Sequence, residues 1–470
     1  MSFENVPLNI AGPSYEARSV PVSAQRTVHF YPERNKDGLS EFILMPWPGR
    51  KAFSAGAGGE DRGMHVFQDL IYKVSGTTLF EIDSAGVQTS RGSIADTRFC
   101  TFADNGTTMM ITNGNTPYSF TGTALTLETA ITTNPRAVTY LNSQFILDGD
   151  DGLFSTSDPS STTFNALNVA EPESAPDPLT FPFAYNQILE LFGTKTLEPW
   201  DNTGTGNPPF ARIDGGIVEG VGCLSPYGAT VTPNFMYFVS FDGVANRVSG
   251  FKAEPITPPA VSRLFQTYNL STYKAFTITF DAQRFVVFAF DEATWVFSEQ
   301  LNLLSDDPSK WWFELEDRGN KWPVTSYVNH FGKRLAASGG DVLELDFDTF
   351  TDDGNTIIRE RVLAVIAGET FGDPRRYLEM SKLYLTLETG VGLSTGQGDD
   401  PQIMVQASTD GGKTYGKETW ISTGRLGEFN TDVEWSNQVQ FKQLAIRLRM
   451  SDPIMWALYK ASIDLREAGY

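Results

Sequence analysis

The chain has 470 residues, with 57 acidic side chains against 36 basic ones and a formal net charge of −21. That balance excludes a protein that grips duplex DNA or an anionic membrane, because either task needs clustered Lys and Arg to displace counterions from phosphate. Apolar residues at 40% and charged residues at 20% suit folded domains, and the length predicts two or three of them, since single cores rarely outgrow about 250 to 300 residues.

The N-terminus lacks a basic start followed by an apolar stretch, so no signal peptide is expected. Apolar runs such as residues 285–290 fall short of the roughly 18 residues a membrane helix needs, so no membrane insertion is expected either. Cys100 and Cys223 are the two cysteines. They cannot build a disulfide framework and have no Cys or His near them at metal-ligand spacing; both are expected as buried thiols in a soluble, reducing setting.

Residues 1–62 are rich in Pro and Gly, with Met45-Pro46-Trp47-Pro48-Gly49 followed by Ala55-Gly56-Ala57-Gly58-Gly59. They predict an extended arm lying on a neighbour, with Tyr31 and Trp47 as candidate partner-facing aromatics. Residues 63–363 carry short β-branched and aromatic runs between Gly, Asp and Asn turns. Aligned on Ile71, Met109, Phe145, Ile188, Met236, Phe285 and Leu335, the runs recur at steps of 38, 36, 43, 48, 49 and 50 residues. That spacing is what four-stranded propeller blades need and predicts about seven of them.

One helical pattern interrupts the strands at residues 259–268. Val261, Leu264, Phe265 and Tyr268 fall on one face there, and Pro259 takes the first-turn position. From about residue 364 to 470 the runs look like a separate β-sandwich. The expected fold is all-β: an extended N-terminal arm, a β-propeller and a C-terminal sandwich.

No motif predicts catalysis, a cofactor or a metal. Residues 407–414 meet a relaxed phosphate-loop pattern, but strand resumes where a phosphate loop requires a helix. The same stretch reads better as a structural turn resembling the Asp-box of sialidase-like propellers, built by Ser408, Asp410, Gly412 and Thr414. Residues 103–108 echo it partially. The acidic runs 148–152 and 346–354 lack calcium-loop spacing and read as solvated turns. His29, His65 and His330 each stand alone, without a nucleophile elbow. In the loop Pro308-Ser309-Lys310-Trp311-Trp312-Phe313 the two tryptophans cannot share one face of a strand. Either one of them faces a partner, or one packs in a blade and the other under a loop.

Taken together, these segments resemble the tail hub, or nozzle, family of short-tailed bacteriophages, also known as tail accessory factors or packaged-DNA stabilisation proteins. The resemblance is carried by Val28-His29-Phe30-Tyr31-Pro32-Glu33 leading to Pro46-Trp47-Pro48-Gly49, by residues 64–80 as a first blade, by the helix at 258–268, and by residues 407–416 followed by 441–449. It implies a non-enzymatic virion protein made in the host cytoplasm. Six copies would sit below the portal and its adaptor, close the DNA exit channel, and seat tail fibres or spikes. DNA would pass without sequence-specific binding, and a tail needle or plug is left open. The alternative is a carbohydrate-binding or glycan-active propeller with an appended sandwich, suggested by the Asp-box-like turn and the aromatic loops.

Overall fold

The computed structural model describes residues 2–35, 38, 40–56, 58–172, 177–307, 309–368 and 376–468. Ala57 of the glycine-rich loop and Pro308 of the aromatic loop lie outside them.

Seven antiparallel sheets follow one another and form a β-propeller. The second strand of each blade is covered on both faces by neighbouring blades, so strands such as Met109–Thr112 and Gln144–Asp148 are buried at every position. That is why these strands read in sequence as continuous apolar runs and not as alternations. First and second strands are joined by the same two-residue hairpin in five blades, with residue pairs Phe67↔Leu70, Leu141↔Gln144, Tyr185↔Ile188, Phe280↔Gln283 and His330↔Lys333 flanking the turn. Both central residues of each turn have positive φ, for example Asp281 at 49° and Ala282 at 58°. This is the backbone that matches strand twist in a two-residue hairpin.

The seventh blade supplies only three strands of its own, Val324–His330, Lys333–Ser338 and Asp341–Asp346. Its outer strand is Gly49–Ser54, which pairs antiparallel with Asp341–Asp346 and so closes the ring with a strand from the start of the chain.

The rest of the N-terminal segment is extended in backbone but is not a free arm. Glu4–Leu8 pairs with Leu458–Glu467, and the hairpin Phe30–Arg34 with Phe42–Pro46 joins the same sandwich sheet. Ala24–Val28 lies between Trp312–Asp317 of blade six and Arg359–Val362, which in turn pairs with Gln443–Met450. One hydrogen-bonded sheet of 12 strands therefore runs from blade six into the sandwich. The expectation of an arm laid on a neighbour is corrected accordingly: edge strands of this chain's own sheets leave backbone groups to be paired, and strands between Glu4 and Ser54 pair them.

The sandwich core mixes both chain ends, with Ile10, Phe30 and Leu44 packed among Leu383, Ile403, Ile446 and Ile463. The helix Pro259–Phe265 forms with Pro259 at its first turn. A second helix, Glu299–Leu303, went unpredicted because five residues are too few to show a periodicity.

Candidate functional site

The innermost strands of the blades surround a cavity of about 360 Å³ on the propeller axis. Its polar lining includes His65, Lys274, Thr325 and Ser326. His65 Nε2 lies 2.8 Å from Asp104 Oδ2, and its ring stacks on Phe102 at 2° with centroids 5.8 Å apart. The Lys274 ammonium sits 5.5 Å from the centre of the Phe99 ring, and burial draws its pKa down. Cys100 also lines the cavity, with its thiol pushed up to about 12 by burial, so it is a poor nucleophile at neutral pH. No arginine lines this cavity among the described residues, whereas a sialidase-like site would need an arginine cluster facing a Tyr and an acid. Among the described residues no group of three His, Cys, Asp or Glu could hold a metal ion.

The four aromatics singled out in the sequence are buried in the chain itself, at 2% exposure for Tyr31 and Trp311, 1% for Trp47 and 0% for Trp312. The reading of them as partner-facing is therefore corrected. Tyr31 and Trp47 pack edge-on against Phe280 and Phe285 of blade six, with centroids 5.2 to 5.6 Å apart. Trp47 also meets Phe313 and Trp322. Trp312 donates from Nε1 to the Ile256 carbonyl at 2.8 Å and packs beside Phe265, Phe288 and Phe297. Trp311 takes the opposite side, against Phe42 at 5.1 Å and beneath the Lys310 ammonium. Adjacent side chains on opposite faces can both be buried because blade six is covered on one side by the helix Pro259–Phe265 and on the other by the N-terminal hairpin.

The turn at 408–415 is held by its own side chains. Asp410 Oδ1 accepts from the Ser408 hydroxyl at 2.6 Å and from the amides of Lys413 and Thr414 at 2.9 Å, while the Gly412 amide donates to Ser408 Oγ at 2.8 Å. The Ser408 and Thr414 hydroxyls and the turn amides hold the Asp410 carboxyl well below the usual range. Gly412 has φ of 100°, and a Cβ there would come within 2.5 Å of Ala24, so the turn sits tight against the N-terminal segment. Tyr415 packs under the Arg447 guanidinium at 4.0 Å. Asp148, expected in a solvated turn, is instead buried at 1%, because it accepts from the amides of Arg136 and Ala137 and pairs with the Arg136 side chain.

With this geometry in place, residues 5–347 match the family model described as "Bacteriophage P22 Gp10, beta-propeller" and residues 364–466 match "Bacteriophage P22 Gp10, beta-sandwich". The chain belongs to this phage tail family. Members of the P22 Gp10 family are structural proteins of the tail hub and of DNA stabilisation, which places this chain among the virion components. No curated protein sequence matches it.

Among solved structures it resembles the WD40 propeller domain of Doa1, at 10% identity and TM-score 0.41 over 63% of this chain and 96% of that one. BamB from Moraxella catarrhalis matches at 12% identity and TM-score 0.39, over 73% of this chain and 96% of that one. Likenesses this distant add nothing to the fold already evident from the sheets.

Sequence reasoning missed the residues that lock this P22 Gp10-family chain together: the buried arginines Arg62 and Arg361. Arg62 donates to the carbonyls of Arg98, Gly76, Ile94 and Ala95 across the first two blades. Arg361 stands in the run Arg359-Glu360-Arg361, whose charges read as an exposed strand. The one available signal was the Val362-Leu363 pair that follows it.

Proposed function

We propose that this chain forms the tail hub as a ring of about six subunits below the portal and its adaptor, where it closes the DNA exit channel, stabilises the packaged genome, seats fibres or spikes and serves as the conduit for ejection. The observation that carries the reading is the pair of family matches, in order, over residues 5–347 and 364–466. Two physical features support it. A conduit wall should not hinge between its domains, and the 12-stranded sheet shared by blade six and the sandwich stiffens that joint. A charge of −21 per subunit, multiplied around a ring, repels the DNA backbone where carboxylates face the bore, so the genome slides without sticking.

Because the strands between Glu4 and Ser54 are paired within the chain and form no free arm, the contacts to portal, adaptor and neighbouring copies are made by exposed surface of the folded chain. Mixing the purified chain with the portal and adaptor of the same virus should yield rings of about six subunits by electron microscopy. Persistent monomers in every mixture would sink the proposal.

A further inference from the structure

Arg359 and Arg361 lie two residues apart on the strand Arg359–Val362, and both are completely buried. Arg361 is fully engaged. Its guanidinium donates to the carbonyls of Ile10, Pro13 and Arg26, to Thr27 Oγ1 and to Gln25 Oε1, over distances of 2.7 to 3.4 Å. Arg359 has no acceptor at all: Nε, Nη1 and Nη2 are each buried without a hydrogen-bond partner.

Other buried polar atoms without partners belong to the same seam between propeller and sandwich. The register Thr27↔Arg361 and Val28↔Glu360 brings His29 level with Arg359 at the end of the ladder. His29 Nδ1, Trp47 Nε1 and Arg50 Nη1 are likewise buried without partners. The Trp47 amide donates to the His29 carbonyl at 2.8 Å, which ties the two residues together. His29 also lies within electrostatic reach of Arg359, Arg50 and Asp352. Arg50 spends Nε and Nη2 on Asp352, at 2.6 and 2.7 Å, and keeps Nη1 free.

The charges of Arg50 and Asp352 cancel and His29 is neutral, so Arg359 leaves a buried surplus of one positive charge. A buried charge without a partner is strongly destabilising, and structures compensate it with a counter-charge. We propose that this seam is a binding site for one small monovalent inorganic anion of chloride size, gripped by the Arg359 guanidinium with the free Nη1 donor of Arg50 nearby. The size follows from the surroundings. Five cavities of 250 to 530 Å³ are lined by other residues, and His29, Trp47, Arg50 and Arg359 are at most 4% exposed, which leaves no room for a bulky ligand. Such an ion would pin the closing strand of the propeller, which carries Arg50, to the sandwich strand that carries Arg359.

The test is thermal unfolding of the full chain in gluconate buffer, with chloride or bromide added at constant ionic strength. An ion bound only by the folded state raises the midpoint saturably, by about 2 to 4 °C at a hundredfold excess over its dissociation constant. Arg359→Leu should lose this response, whereas Lys252→Gln, which removes an exposed cation, should keep it. A wild-type midpoint indifferent to halide overturns the proposal, and so does a response to phosphate or sulfate without one to chloride. Should Arg359→Leu fail to fold, crystals of the wild type soaked in bromide decide: an anomalous peak within hydrogen-bonding reach of Arg359 supports the site, and its absence there refutes it.

Discussion

The propeller and the sandwich are built from similar strands by opposite logics. Six of the seven blades are made of strands that follow one another in sequence and pair through short turns, so almost every hydrogen bond in them is local. The sandwich is assembled from both ends of the chain, with Glu4–Leu8 paired to Leu458–Glu467 more than 450 residues away. The seventh blade follows the sandwich's logic, since its outer strand Gly49–Ser54 comes from the N-terminal segment. That segment is a strap through both bodies. Local pairing makes a blade nearly autonomous, whereas the strap makes closure of the propeller and completion of the sandwich one event with a large loop-closure cost.

Breaking the strap should therefore damage both bodies together. Trp47 is its largest fully buried side chain, at 1% exposure, and fills a pocket formed by Tyr31, Phe280, Phe285, Phe313 and Trp322. Trp47→Ala should cost about 3 to 5 kcal/mol, measured by urea unfolding with fluorescence and near-ultraviolet circular dichroism as separate probes. Coincident loss by both probes fits a strap that fuses the bodies. A sandwich that keeps its midpoint while the propeller melts would show that the bodies are independent.

What the sequence revealed follows the same division. The blades were legible because their second strands repeat as buried runs about 36 to 50 residues apart, and a repeat announces itself without knowledge of distant partners. The short helix was legible from Pro259 and a four-residue apolar face. The strap was not, because its Pro and Gly content, which reads as a loose arm, is what lets the chain turn between sheets; its partners lie about 300 to 450 residues away. Trp311 and Trp312 show the same limit. Their alternation was read correctly as pointing to opposite faces, but only the fold shows that both faces are covered. The buried Arg359 and Arg361 were hidden by an intervening Glu360.

A second prediction separates the bodies by pH. Glu190 stands on Ile188–Gly193 in blade four, away from the strap, and burial alone pushes its carboxyl up to about 7. In the unfolded chain it titrates near its ordinary value of 4.5. Between those values the folded state holds the extra proton, so stability falls as pH rises from about 4.5 to 7, and the full penalty persists above 7. Glu190→Gln removes that penalty. It should stabilise the protein by about 3 kcal/mol at pH 8 and leave it unchanged at pH 4, by denaturant unfolding at each pH. An equal gain at both pH values would mean that the cost of Glu190 is steric and not ionic. A gain that appears in one shared transition, rather than in a propeller transition alone, would again show that the strap couples the two bodies.

The smallest effect belongs to the sandwich, at the turn that packs on the strap. Ser408 is 1% exposed, donates to Asp410 Oδ1 and accepts from the Gly412 amide. Its hydroxyl thus organises a turn whose glycines lie against Pro21 and Ala24 of the strap. Ser408→Ala leaves the Gly412 amide without its acceptor, and a lost intramolecular hydrogen bond of this kind costs about 1 kcal/mol. If the turn serves only to seat the strap, the variant should unfold slightly earlier and still assemble with portal and adaptor as the wild type does. If assembly fails while the midpoint barely moves, the turn contacts a partner, and its tight packing on the strap becomes the way that contact is held in shape.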